Sequence, residues 1–147
     1  MKPNKKLNGF PGIIVAAALV LAPSIAGAES VAVSPTRLNV HTPQQQTTLT
    51  VKAGGRQASV VQLRVMAWNP RHDPNDIKPT RNVVVSPPMA RLRPRQELTV
   101  RIVRTKKRAV RGKECYRVLV DRLPGKEQSG QAVKLQVRHS VPLCFTS

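Results

Sequence analysis

The sequence predicts an all-β sandwich of about seven strands, and three observations carry that prediction. Apolar residues recur at every second position in several short stretches, which is the period of an extended chain. Clusters of proline and glycine separate those stretches and would stop or turn a strand. Beyond the first 28 residues, no stretch shows a convincing 3.6-residue apolar period.

Taken in order, the first strand runs from Val31 to Val40 and is broken by Pro35, which suits an edge strand or one that changes sheets. The second is short, with Leu49 and Val51 in TLTVKA, and ends at Gly54-Gly55. Ser59 to Trp68 is the clearest interior strand, with Val61, Leu63, Val65 and Ala67 on one face. A polar loop follows through Asn69-Pro70, Asp73-Pro74 and Lys78-Pro79, where the prolines exclude a helix. Asn82 to Ser86 is a further short strand, stopped by Pro87-Pro88, and Glu97 to Arg104 places Leu98, Val100 and Ile102 on one face. Tyr116 to Leu123 is closed by Pro124-Gly125.

The terminal strand spans Ala132 to Phe145. Val133, Leu135, Val137, Val141, Leu143 and Phe145 form its apolar row, interrupted by His139, and Lys134, Gln136, Arg138 and Ser140 take the alternate places. As a last strand it can lie at a sheet edge, where unpaired backbone groups are open to another chain. The whole pattern predicts an immunoglobulin-like β-sandwich. It lacks the Cys…Trp…Cys order of antibody domains, because both cysteines follow Trp68.

Residues 1–28 read as a secretory signal peptide. Lys2, Lys5 and Lys6 precede the ten apolar residues Ile13 to Ala22, and Ala26-Gly27-Ala28 has the small-x-small form of a cleavage site. Ten residues fall short of the roughly 17 to 25 that span a bilayer, so stable membrane insertion is not expected. Cleavage after Ala28 exports the chain, placing it in the periplasm on the resemblance described below. The mature chain has 22 basic residues against seven acidic ones, a net charge of +15. Such a charge suits an acidic partner or surface. Nucleic acid is disfavoured by export and by the scarcity of aromatic side chains for stacking on bases. The densest basic run, Arg104 to Arg108, reads as a solvated loop, with a docking patch as the alternative.

Catalysis and metal binding are not expected, and no cofactor is implied. His41, His72 and His139 are scattered, neither cysteine has histidine at ligand spacing, and the acidic residues form no obvious pair. Charge and strand pattern together leave room for a secreted immunoglobulin-like adhesion or polyanion-binding module.

Several segments, taken together, carry a more specific reading. Ser34-Pro-Thr-Arg37, Pro79-Thr-Arg81, Ser86-Pro-Pro-Met-Ala-Arg-Leu-Arg-Pro94, Glu97 to Arg104, Tyr116 to Pro124 and the alternating last strand resemble the N-terminal domain of periplasmic chaperones of the chaperone/usher pilus pathway. They cover nearly the whole of residues 29–147. The resemblance implies a chaperone that binds pilin (fimbrial) subunits, with an outer-membrane usher as a further partner. Such a chaperone lends its last strand to a subunit that lacks one. By resemblance the donor residues are Val133, Leu135 and Val137, with Val141 and Leu143 as extensions. The family also anchors the subunit's C-terminal carboxylate with two basic residues. Arg37 matches the first, whereas Pro142 stands where the second is usually a lysine, as in a divergent branch of the family. Proline cannot hold a carboxylate. The second cation must then come from elsewhere, and Arg138 is the candidate.

Cys115 and Cys144 fit the same picture. If the last two strands form a hairpin, the two residues are nearly opposite, and a disulfide would staple its base; buried free thiols are the alternative. Some members of the family carry a disulfide between these strands at other positions. Members also have a second immunoglobulin-like domain, and by that comparison residues 29–147 correspond to the first domain alone.

Overall fold

The computed structural model describes residues 1, 30–124 and 136–147. The expected signal peptide, most of the turn after Pro124, and Val133 and Leu135 therefore lie outside the described residues. Among the described residues no helix is long and apolar enough to cross a membrane.

Among the described residues, ten strands form two facing sheets. In chain order they are β1 (Val31–Ser34), β2 (Leu38–His41), β3 (Gln46–Ala53), β4 (Ser59–Trp68), β5 (Ile77–Pro79), β6 (Val83–Ser86), β7 (Met89–Leu92), β8 (Glu97–Arg104), β9 (Lys113–Leu123) and β10 (Arg138–Thr146). One sheet has the order β1-β3-β8-β6; the other runs β2-β10-β9-β4-β5, with β7 also paired to β4.

The count rises from about seven to ten for identifiable reasons. The segment expected as one first strand is two, because the chain changes sheets between Ser34 and Leu38. β1 pairs antiparallel with β3 in one sheet, and β2 pairs parallel with β10 in the other. Proline lacks the N–H a continuous ladder needs, so Pro35 sits where pairing stops on one sheet and before it resumes on the other. The segment Val83 to Leu92 behaves the same way. β6 pairs with β8, and after Pro87-Pro88 β7 pairs with β4. The remaining strand, β5, lies within the proline-rich loop and adds three residues beside Met66 to Trp68. Too short for a periodic signal, it is held by pairing rather than by pattern.

The apolar rows read from the sequence line the interior. Leu49, Val51, Val61, Leu63, Val100, Ile102, Val118 and Val120 are all buried in one hydrophobic cluster between the sheets. Alternation makes this inevitable once the sheets face each other, since each strand turns every second side chain inward. Phe145 is fully buried and meets Tyr116 edge to face, with ring centroids 6.1 Å apart and planes at 80°. Burial of these rows supplies the main driving force, at roughly 1.5 to 3 kcal/mol for each fully buried Val, Leu or Phe.

The basic run Arg104 to Arg108 is only partly the solvated loop expected. Arg104, at the end of β8, has a side chain just 1% exposed. Its guanidinium donates to both oxygens of Glu114, to Gln45 Oε1 at 3.0 Å, and to the carbonyls of Lys106 and Arg108 at 2.7 and 2.8 Å. Five acceptors for one ion make this burial tolerable, and the loop is drawn around the charge. Burial would raise the Glu114 carboxyl, but hydrogen bonds from Arg104 and Lys106 outweigh it and hold its pKa below the ordinary value.

Candidate functional site

The candidate site is built around β10. Its ladder with β9 runs from Arg138↔Asp121 to Thr146↔Lys113, and its ladder with β2 covers Leu143 to Thr146 alone. Over Arg138 to Pro142, therefore, β10 has a strand on one side and, among the described residues, none on the other. The strand is an edge for the first half of its length and an interior strand for the second.

The apolar row divides at the same place. Val141 is 4% exposed, and Leu143 and Phe145 are fully buried, so these three side chains belong to the domain's own core. Val137 is 59% exposed. Of the five residues assigned to the donor row, Val141 and Leu143 are thus committed inside this molecule. Val137 is exposed, and Val133 and Leu135 lie outside the described residues.

The alternate residues of β10 occupy the sheet's outer face, where cross-strand neighbours share a side. There Cys144 is paired with Cys115, Pro142 with Arg117, Ser140 with Leu119, and Arg138 with Asp121. The two cysteines form a disulfide across a Cα separation of 4.2 Å, so they are not free thiols. The short separation suits two residues directly opposite one another in an antiparallel pair.

At the other end of this face, Asp121 is buried and receives two arginines. Arg138 Nε donates to its Oδ1, and Arg64, from β4, donates to Oδ2 at 2.7 Å. The Asp121 side chain is 3% exposed, whereas those of Arg138 and Arg64 are about half exposed, at 52% and 44%. Burial pushes the Asp121 pKa up, but the two arginine hydrogen bonds and their charges push it further down, leaving it below the ordinary carboxylate value.

The structure does not bring Arg37 and Arg138 together as a pair of anchors. Arg37 is exposed, in the link between β1 and β2, one residue before Leu38. Leu38 pairs with Leu143. Arg37 is therefore level with Pro142, whereas Arg138 lies four residues further along β10, on the order of 13 Å away at strand rise. Arg138 is also already engaged by Asp121.

Three residues on this face escaped the sequence reading: Arg64, Arg117 and Asp121. Arg117 places its guanidinium carbon 3.9 Å from the centroid of the Trp68 ring, a cation–π contact. One signal could have found two of them. Once Cys115 and Cys144 are set opposite each other, counting outward along an antiparallel hairpin puts Arg117 opposite Pro142 and Asp121 opposite Arg138. Arg64 needed the pairing of β4 with β9, which nothing local specifies.

Comparison with known proteins matches residues 30–146 to the family described as pili and flagellar-assembly chaperone, PapD N-terminal domain. Among solved structures, a chain of the Salmonella enterica SafA pilin complex with the SafB chaperone is 25% identical, with a TM-score of 0.67 over 80% of this chain and 54% of that one. The E. coli chaperone DraB is also 25% identical, with a TM-score of 0.64 and coverage of 80% and 54%. A chain of the Acinetobacter baumannii CsuC–CsuE chaperone–tip adhesion subunit complex, from archaic chaperone-usher Csu pili, is 21% identical, with a TM-score of 0.66 and coverage of 80% and 56%. The chain thus spans a little over half the length of these structures. No curated protein matches it.

Proposed function

We propose, on the premise that the chain belongs to the PapD N-terminal domain family of pili and flagellar-assembly chaperones, that it is a periplasmic chaperone which captures pilin subunits by lending them its last strand. One observation carries this reading: among the described residues, β10 keeps a free edge over Arg138 to Pro142, directly after a valine that is 59% exposed.

The chemistry follows from that edge. A subunit strand laid along it gains backbone hydrogen bonds that are indifferent to sequence, while side chains at every second position enter the subunit's groove and give specificity. The donor row is Val133, Leu135 and Val137. Val141 and Leu143 anchor the strand in its own domain instead. Each donor side chain fully buried on binding contributes roughly 1.5 to 3 kcal/mol, enough for three to hold a subunit. Arg37 receives the subunit's C-terminal carboxylate, a charge-assisted and bidentate contact. Export by the leader, cleaved after Ala28, puts the chaperone in the compartment where subunits emerge and where the Cys115–Cys144 disulfide persists.

Co-expression with a pilin subunit, followed by co-purification in high salt, tests this reading. Donor-strand pairing is apolar and backbone-mediated and should survive salt that dissolves a polyanion contact. Leu135→Asp should abolish the complex; a complex as abundant as wild type would remove the donor strand from the mechanism.

A further inference from the structure

We infer that Arg56, Arg91, Arg93 and Arg95 form a cationic tip, at the end of the sandwich where β4 and β8 begin, that docks on an anionic lipid surface. The inference is independent of subunit capture and uses none of the residues assigned to it.

Two adjoining turns build the tip. Arg91 pairs with Val60, and Leu92, the last residue of β7, with Ser59, the first of β4. The chain then turns tightly through Pro94 and Arg95, where the Gln96 N–H donates to the Arg93 carbonyl at 3.1 Å. The Ala53 N–H donates to the Gln96 carbonyl at 2.9 Å, which sets this turn beside the end of β3 and the turn after it that carries Arg56. All four arginines are exposed. Among the described residues no acceptor answers any of their side chains, and the closest acid in the sequence, Glu97, is already paired with Lys52 at 2.8 Å.

Arg95 supplies a second observation. Its φ is +62°. Proline at the first central position and a positive φ at the second make a type II turn, in which the second position favours glycine because no Cβ is there to clash. Arginine at that place costs the fold something, and its side chain returns nothing within the domain. A charge kept in strained backbone at an exposed turn points to a partner outside the molecule.

The chemistry of the tip selects the partner. Each guanidinium is a planar fork that matches a phosphate bidentately, and four of them on two neighbouring turns can meet several headgroups of one leaflet. Met89, two residues before Arg91 and on the same face of β7, is 50% exposed. An apolar side chain beside exposed cations suits a lipid surface, which has hydrocarbon beneath its phosphates, better than a dissolved polyanion.

The test measures sedimentation of the mature chain, residues 29–147, with vesicles of phosphatidylcholine alone or with about one-third phosphatidylglycerol. Wild type should bind only the anionic vesicles. Arg93→Gln/Arg95→Gln should weaken that binding about 25-fold, roughly fivefold for each arginine. The charge-matched control is Lys107→Gln/Arg108→Gln, in the loop beyond the far end of β8, on the order of 25 Å away; it should stay within about twofold of wild type. Arg95→Gly removes the charge and the positive-φ cost together, so its urea midpoint should hold or rise while vesicle binding falls about fivefold. A loss of stability cannot imitate that pair of results. If both double variants lose binding equally, only the net charge of the chain is being read and the tip is not a site. If wild type ignores the anionic vesicles, or Arg95→Gly binds them as wild type does, the inference fails. If polyglutamate binds more tightly than the vesicles, with the same dependence on Arg93 and Arg95, the partner is an acidic protein and the lipid assignment is wrong.

Discussion

Arg138 and Asp121 face each other across the β9–β10 ladder, and the buried carboxylate ties the first residue of β10 to the sheet directly after the exposed Val137. Asp121 holds Arg64 as well, so one acidic residue joins three strands, β4, β9 and β10. Asp121→Asn keeps the shape but leaves two guanidinium groups facing an amide. Stability should fall by about 1 to 3 kcal/mol, read from urea unfolding midpoints. A change within experimental error would show that solvent already satisfies both arginines.

Acid should destabilise the fold in a defined window. The folded-state pKa values of Asp121 and Glu114 are both lowered, so the unfolded chain binds protons more readily. Their stabilisation is complete above their unfolded values, near pH 4, and is lost as pH falls through the lower folded values. Thermal midpoints should therefore be flat from neutrality to about pH 5 and then decline. Asp121→Asn should decline less steeply than wild type.

The disulfide should matter more than any single surface contact. It closes a loop with a sequence separation of 29, which the chain-entropy relation converts to roughly 3 to 4 kcal/mol. Thiol titration of the unreduced, denatured protein should find no free thiol, and Cys115→Ser/Cys144→Ser should unfold at correspondingly lower urea. Two free thiols would contradict the bond.

The division of the β10 row predicts opposite behaviour from two neighbouring apolar residues. Leu143→Ala removes a fully buried side chain and should cost about 2 to 5 kcal/mol of stability. Val137→Ala, at a 59% exposed position, should change stability by no more than about 0.5 kcal/mol while weakening subunit capture. Equal stability losses in the two variants would mean that Val137 packs within the domain.

Arg104 offers a sharper stability test. Arg104→Met leaves Glu114, Gln45 and two loop carbonyls without their shared donor and should destabilise by about 3 to 5 kcal/mol. Proteolysis should then appear within residues 105–112, because the loop is gathered around that ion.

The sequence by itself determined the all-β class, the inward rows of β4 and β8 and the breaks at Pro35 and Pro87-Pro88, and it set Cys115 nearly opposite Cys144 on the condition that the last two strands pair as a hairpin. Each is legible because alternation, proline and a short hairpin act over a few residues, or across one turn. Tertiary structure alone decided which half of β10 is covered by a second strand, since that depends on β2 arriving from more than 100 residues away in the chain, with Thr146 beside His41. It likewise decided that Arg138 belongs to Asp121, that Arg104 is buried rather than solvated, and that Arg117 lies level with Arg37 across Pro142. A charge in the sequence has no partner until strands distant along the chain are brought side by side.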